Sequence, residues 1–139
     1  RGGAMRSILI IGTLTLVGIA GLWFLFEVFE LLYSSPTTIR IERDTIDLDI
    51  VRYGEKKQIS FRICNTGEVP LLIRDVRPSC GCTEVRWEKR PVQPGEETLI
   101  FVTFEPNSLG RFMKSIEVLC NTSSQLLRLN LKGIVLNDR

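Results

Sequence analysis

The residues with the most chemistry to offer are two cysteines separated by one glycine, Cys80-Gly81-Cys82. Such a turn presents two sulfurs on a flexible backbone. The pair can stay as free thiols, close on itself as a strained and readily exchanged disulfide, or hold a soft metal such as Cu(I), which accepts two soft ligands. The alternative without chemistry is that the thiols cap a core and Gly81 supplies a positive φ in a tight loop. Two further cysteines, Cys64 and Cys120, lie far away in the chain, and four cysteines allow three complete pairings. The sequence contains no histidine. That removes the commonest general base and metal ligand, so a mononuclear zinc or blue-copper centre would need ligands this loop does not have.

Other groups carry less. The acid pairs Glu27/Glu30, Asp47/Asp49 and Glu96/Glu97 stand in a helix end, a strand and a turn, without the enclosed setting that acid–base work requires. Asp47 and Asp49 alternate with apolar residues and are expected to face solvent. Arg86, Lys89 and Arg90 surround Trp87; an exposed tryptophan beside arginines suits a protein interface. With a net charge of +2 from 18 basic and 16 acidic residues, there is no electrostatic footprint for nucleic acid. Neither an enzyme, a cofactor nor a small-molecule substrate is expected.

These groups must be positioned by the rest of the chain, which opens with an uncharged stretch, Ser7 to Phe26, between Arg6 and Glu27. Roughly twenty apolar residues in a helix match a hydrocarbon core of about 30 Å. A cleaved signal peptide ending at Gly18-Ile19-Ala20 is the competing reading, but the apolar run overshoots its usual length. The expectation is a single-pass anchor in contact with lipid through residues 7–26. Arg1 and Arg6 precede it and Glu27 and Glu30 follow, which puts residues 1–6 in the cytoplasm and the remainder in the periplasm. Helix is expected over 7–33, with Trp23 and Tyr33 near the far interface and a linker over 34–37 containing Pro36. Gly12, Thr15, Gly18 and Gly21 form a stripe of small residues suited to helix packing.

From Thr38 the pattern alternates. Ile39 and Ile41, then Ile46, Leu48 and Ile50, repeat at two-residue spacing, with a break at Arg43-Asp44. Further runs follow at Lys56–Cys64, Leu71–Val76, Thr83–Trp87, Thr98–Phe104, Phe112–Cys120 and Leu126–Val135, separated by turn residues such as Asn65-Thr66-Gly67 and Pro94-Gly95. This predicts an all-β domain over 38–136, a seven-stranded antiparallel sandwich of immunoglobulin type, preceded by the transmembrane helix.

Several of these segments form an ordered series: Phe61-Arg62-Ile63-Cys64-Asn65-Thr66-Gly67, Pro70-Leu71-Leu72-Ile73, Ser79-Cys80-Gly81-Cys82-Thr83 and Pro94-Gly95-Glu96. Gly110-Arg111-Phe112 and Cys120-Asn121-Thr122 continue it. The series resembles the bacterial immunoglobulin-like family known as domain of unknown function fifteen-seventy-three, related in architecture to the major-sperm-protein and abnormal-spindle/Hydin sandwiches. The resemblance spans Ile46 to Val135 and implies an exported sandwich that binds rather than catalyses. In an immunoglobulin-like strand order Cys64 and Cys120 end two strands of facing sheets. They are the candidate disulfide, although Cys64 has the parity of Ser60 and Arg62 rather than of Phe61 and Ile63. The expected role is an accessory or structural subunit of a larger membrane protein complex; the alternative is a thiol-redox or copper(I) carrier using Cys80 and Cys82.

Overall fold

The computed structural model describes the backbone of residues 3–137 and, within the helix, side chains from Leu16 to Leu31. The chain divides into two compact units, Arg1–Ser35 and Pro36–Arg139. The first is helix α1, Gly3–Ser34. Its end follows from Pro36, which pushes the preceding residue out of the α region, and Ser35 Oγ donates to the Leu31 carbonyl at 2.6 Å.

The membrane expectation is overturned here. Among the described residues no helix is long and apolar enough to cross a membrane. The single-pass anchor and the inner-membrane address with a cytoplasmic N-terminus therefore do not stand. Of the small-residue stripe, the side chains at Gly12 and Thr15 lie outside the described residues, as do those of Arg1, Arg6 and Tyr33. Gly18 and Gly21 have no neighbouring atoms within 4 Å of a hypothetical Cβ.

The second unit has eight strands rather than seven: β1 (Ile39–Ile41), β2 (Thr45–Arg52), β3 (Lys57–Asn65), β4 (Ile73–Pro78), β5 (Thr83–Trp87), β6 (Glu97–Phe104), β7 (Gly110–Cys120) and β8 (Leu126–Leu136). They form two four-stranded sheets, ordered β1-β3-β6-β5 and β2-β8-β7-β4. The extra strand arises at Arg43-Asp44, where the chain leaves the first sheet and enters the second. β1 pairs antiparallel with β3, whereas β2 lies parallel to β8, so the sandwich is not wholly antiparallel.

The alternation read from the sequence fills the space between the sheets. Phe61 and Ile63 of β3, Ile100, Val102 and Phe104 of β6, Ile116 and Val118 of β7, and Leu129 and Leu131 of β8 are buried. Phe104 stacks on Phe112 with ring centroids 4.6 Å apart. In β2 the alternation fails. Between Asp47 and Ile50 the register against β8 shifts, and Asp49 adopts φ 54°. This bulge flips the facing of everything after it. Ile50, expected inside, is 63% exposed, and Val51 is fully buried in its place.

Candidate functional site

Cys80 and Cys82 are joined as a disulfide across a single residue, with Cα atoms 5.3 Å apart. The loop sits between the end of edge strand β4 and the start of edge strand β5, and both cysteines are half-buried. It is held independently of the sulfur bond. The Ser79 N–H donates to the Ser115 carbonyl at 2.9 Å, and the Ser115 N–H donates to Ser79 Oγ at 3.1 Å. The Thr83 N–H donates to the Cys80 carbonyl at 3.3 Å, and the Glu105 N–H to the Cys82 carbonyl at 2.9 Å. Thr83, itself buried, places its hydroxyl 3.7 Å from the Cys80 sulfur and 3.8 Å from that of Cys82.

Gly81 is exposed and not among the positive-φ glycines, and a Cβ there would meet nothing within 4 Å. The loop therefore does not need glycine for a left-handed turn, contrary to the capping reading. With both sulfurs in one bond, neither is a thiolate for a soft metal. Among the described residues no group of three or more His, Cys, Asp or Glu could hold an ion. Beside the loop opens a cleft of about 340 Å³, bordered by Gly81, Cys82, Tyr53, Lys56, Glu84 and Glu105. Lys56 and Glu105 pair across its rim at 3.3 Å, both more than half exposed.

The proposed bridge between Cys64 and Cys120 is absent; both are free thiols. The reason is parity. Cys64 shares the outward facing of Arg62 on β3, while Cys120 points into the core from β7, its sulfur 3.5 Å from Thr122 Oγ1. No bulge in β3 rotates Cys64 inward, since its pairing with β6 is regular from Lys57 to Cys64.

Trp87 is half-buried and packs against the core rather than standing free. Lys89 Nζ lies 5.5 Å above its ring, and its buried Nε1 has no acceptor.

A second feature was not anticipated. The bulge in β2 opens a groove of about 660 Å³ on the outer face of the second sheet, lined by Ile50, Met113 and Ile134 with Asp47, Arg111 and Lys132 around them. Ile50 and Ile134 are cross-strand partners, as are Arg111 and Ile134. Met113 is 68% exposed. Asp47 builds the bulge by accepting the Asp49 N–H at 2.9 Å, and it also pairs with Lys132 at 3.4 Å. Its carboxyl is held below the ordinary aspartate value, first by the Asp49 N–H and then by Lys132. The lowered native value means the bulge contact is complete above the ordinary aspartate pKa and is lost only as pH falls through the depressed one. The Asp49 amide resonance should accordingly titrate in acid with a midpoint below that of an unperturbed aspartate. A midpoint at the ordinary value would show that the carboxylate does not hold the bulge. The sequence signal was present in the Asp-x-Asp spacing, because aspartate readily hydrogen-bonds the backbone two residues on.

Residues 39–135 match the model of the family described as "Protein of unknown function (DUF1573)". The chain belongs to the DUF1573 family. No curated protein matches the sequence. Among solved structures, DUF1573 here is similar to a protein of unknown function from Porphyromonas gingivalis W83, at 18% identity and a TM-score of 0.65, covering 73% of this chain and 48% of that one. It is also similar to the ASH/PapD-like domain 7 of human CEP192, at 15% identity and a TM-score of 0.58, covering 75% and 89%. A third match is the Vibrio cholerae VesB protease, at 16% identity and a TM-score of 0.56, covering 70% and 31%. The chain thus spans about half of the Porphyromonas protein and under a third of the protease. At these identities the likeness is one of fold, an immunoglobulin-like sandwich.

Proposed function

We propose that this DUF1573 chain is a binding module, an accessory or structural subunit of a larger protein assembly, and not an enzyme. The observation that carries this reading is the β2 bulge, which puts a non-glycine residue at positive φ and turns Ile50 out to solvent. Strain of this kind persists where the surroundings over-determine it and is concentrated at functional sites. The groove it opens is apolar at its centre and charged at its rim, the anatomy of a protein interface. Asp47 already neutralises Lys132, whereas Arg111 has no ion-pair partner among the described residues. The partner that fits is a protein segment offering an apolar side chain to Ile50, Met113 and Ile134 and a carboxylate to Arg111.

The test is co-purification of the tagged chain from its native cells, compared with an Ile50→Asp/Met113→Asp variant. The variant should fold, since both side chains are exposed. It should bind the recovered partner more weakly by about 2 kcal/mol or more, roughly thirtyfold in Kd. Undiminished binding would remove the groove from the account.

A second reading is favoured by the Cys80–Cys82 bond itself: thiol–disulfide exchange with a partner's dithiol, rather than carriage of copper(I). The loop is also held by four hydrogen bonds that do not involve the sulfur link. A ring closed across one residue also gains little chain-entropy stabilisation, which grows with loop length.

A further inference from the structure

Resting on the thiol-exchange reading, the geometry points to Cys82 as the sulfur that is attacked, Cys80 as the leaving thiolate, and the adjoining cleft as the entry path for the incoming cysteine. The cleft of about 340 Å³ is bordered by Gly81 and Cys82 and does not reach Cys80. Access decides which sulfur of a disulfide a thiolate meets. On the rim Lys56 is paired with Glu105 at 3.3 Å, and Glu84 beside them leaves a net negative charge that turns away strongly acidic partners. The Thr83 hydroxyl, 3.7 Å from the Cys80 sulfur and 3.8 Å from that of Cys82, serves either sulfur, so the choice between them rests on the cleft.

The step balances without a further reactant. A partner thiolate bonds to Cys82 Sγ, the Cys80–Cys82 bond breaks, and its electron pair stays on Cys80 Sγ. The partner's second thiolate then displaces Cys82 from the mixed disulfide. The partner dithiol leaves as a disulfide, two electrons having passed to this chain, and Cys80 and Cys82 take up the two protons. Cys64 and Cys120 are not involved. One faces outward from β3, the other is buried in the core, and both stand at strand ends away from this loop: Cys120 lies opposite Ile73 at the start of β4, and Cys64 opposite Glu97 at the start of β6.

The experiment uses the full chain in its oxidised form with reduced glutathione as the probe thiol, quenched at early times with iodoacetamide and mapped by peptide mass. The expected product carries glutathione on Cys82 and the alkyl group on Cys80, in at least tenfold excess over the reverse arrangement. An even split, or glutathione mainly on Cys80, overturns the assignment of Cys82 while leaving thiol exchange intact. A bond that survives millimolar glutathione without any mixed disulfide overturns the exchange reading and this inference with it.

Discussion

Replacing Asn65 with alanine is expected to lower the stability of the sandwich by about 3 kcal/mol and its melting temperature by about 15 °C. Asn65 is completely buried at the end of β3, and all of its side-chain capacity is in use. Its Oδ1 accepts from Thr37 Oγ1 at 2.8 Å and from the Gly67 N–H at 3.1 Å. Its Nδ2 donates to the carbonyls of Val69 and Val92, both at 2.9 Å. Truncation takes the asparagine away from the buried Thr37 hydroxyl and from the Val69 carbonyl, while the Gly67 N–H keeps the Thr38 carbonyl and the Val92 carbonyl keeps the Leu71 N–H; unmade buried hydrogen bonds are the expensive ones. Asn65→Asp should cost as much, because a second oxygen would face two carbonyls. Thr66→Ala, one residue away and exposed, should change little. Thermal unfolding followed by circular dichroism reads all three. A loss below 1 kcal/mol for Asn65→Ala would mean the network does not bear on the fold.

The second large effect is expected at Gly133. A Cβ built there lies 2.9 Å from Cζ of Phe112 and 3.0 Å from the carbonyl oxygen of Asp49. One neighbour is half of the stacked Phe104–Phe112 pair, the other the apex of the β2 bulge. Neither can give way cheaply, so Gly133→Val should destabilise by about 3 kcal/mol, at the upper end of ordinary overpacking. It should also displace Ile50 and so reshape the groove on the outer face of the second sheet. Chemical denaturation gives the stability change, and the amide shifts of Asp49 and Ile50 report the bulge. A variant as stable as the parent, with those shifts unmoved, would show that the sheet accommodates the branch.

The strands were legible because burial on one face imposes a period of two, and that period survives in β3, β6, β7 and β8. What escaped was what interrupts it. The shift at Asp49 depends on a backbone hydrogen bond to Asp47, and no hydropathy pattern distinguishes Ile50 from Val51 as the inward residue. The eighth strand was visible as a separate apolar pair, Ile39 and Ile41, yet assigning it to its own sheet requires pairing information. The loop cysteines were recognised as the chemical centre, and their mutual bond was one of the alternatives the spacing allowed. The Cys64–Cys120 bridge failed on the parity that already argued against it. Asn65 reads as a turn residue and Asn121 as part of a strand end, although the triplet Cys-Asn-Thr occurs twice, at 64–66 and 120–122. Asn65 is the last residue of β3 and Asn121 the first after β7, and both tie down the segment around Pro70: the Leu72 N–H donates to Asn121 Oδ1 at 2.7 Å, and Asn121 Nδ2 donates to the Pro70 carbonyl at 2.9 Å.

The parallel pairing of β2 with β8 sets a timetable for biosynthesis. Every member of the first sheet lies between Ile39 and Phe104, so that sheet is available to a nascent chain well before the last strand leaves the ribosome. β2 emerges early and has no sheet partner until β8 arrives. In the interval the greasy inner surface of Phe61, Ile63, Ile100, Val102 and Phe104 lacks the β8 side chains that complete its cover, the condition in which partly made domains aggregate or meet chaperones. Translation that stalls before Leu126 therefore yields a sandwich without β8, in which β4 and β7 can pair but β2 has nothing to join.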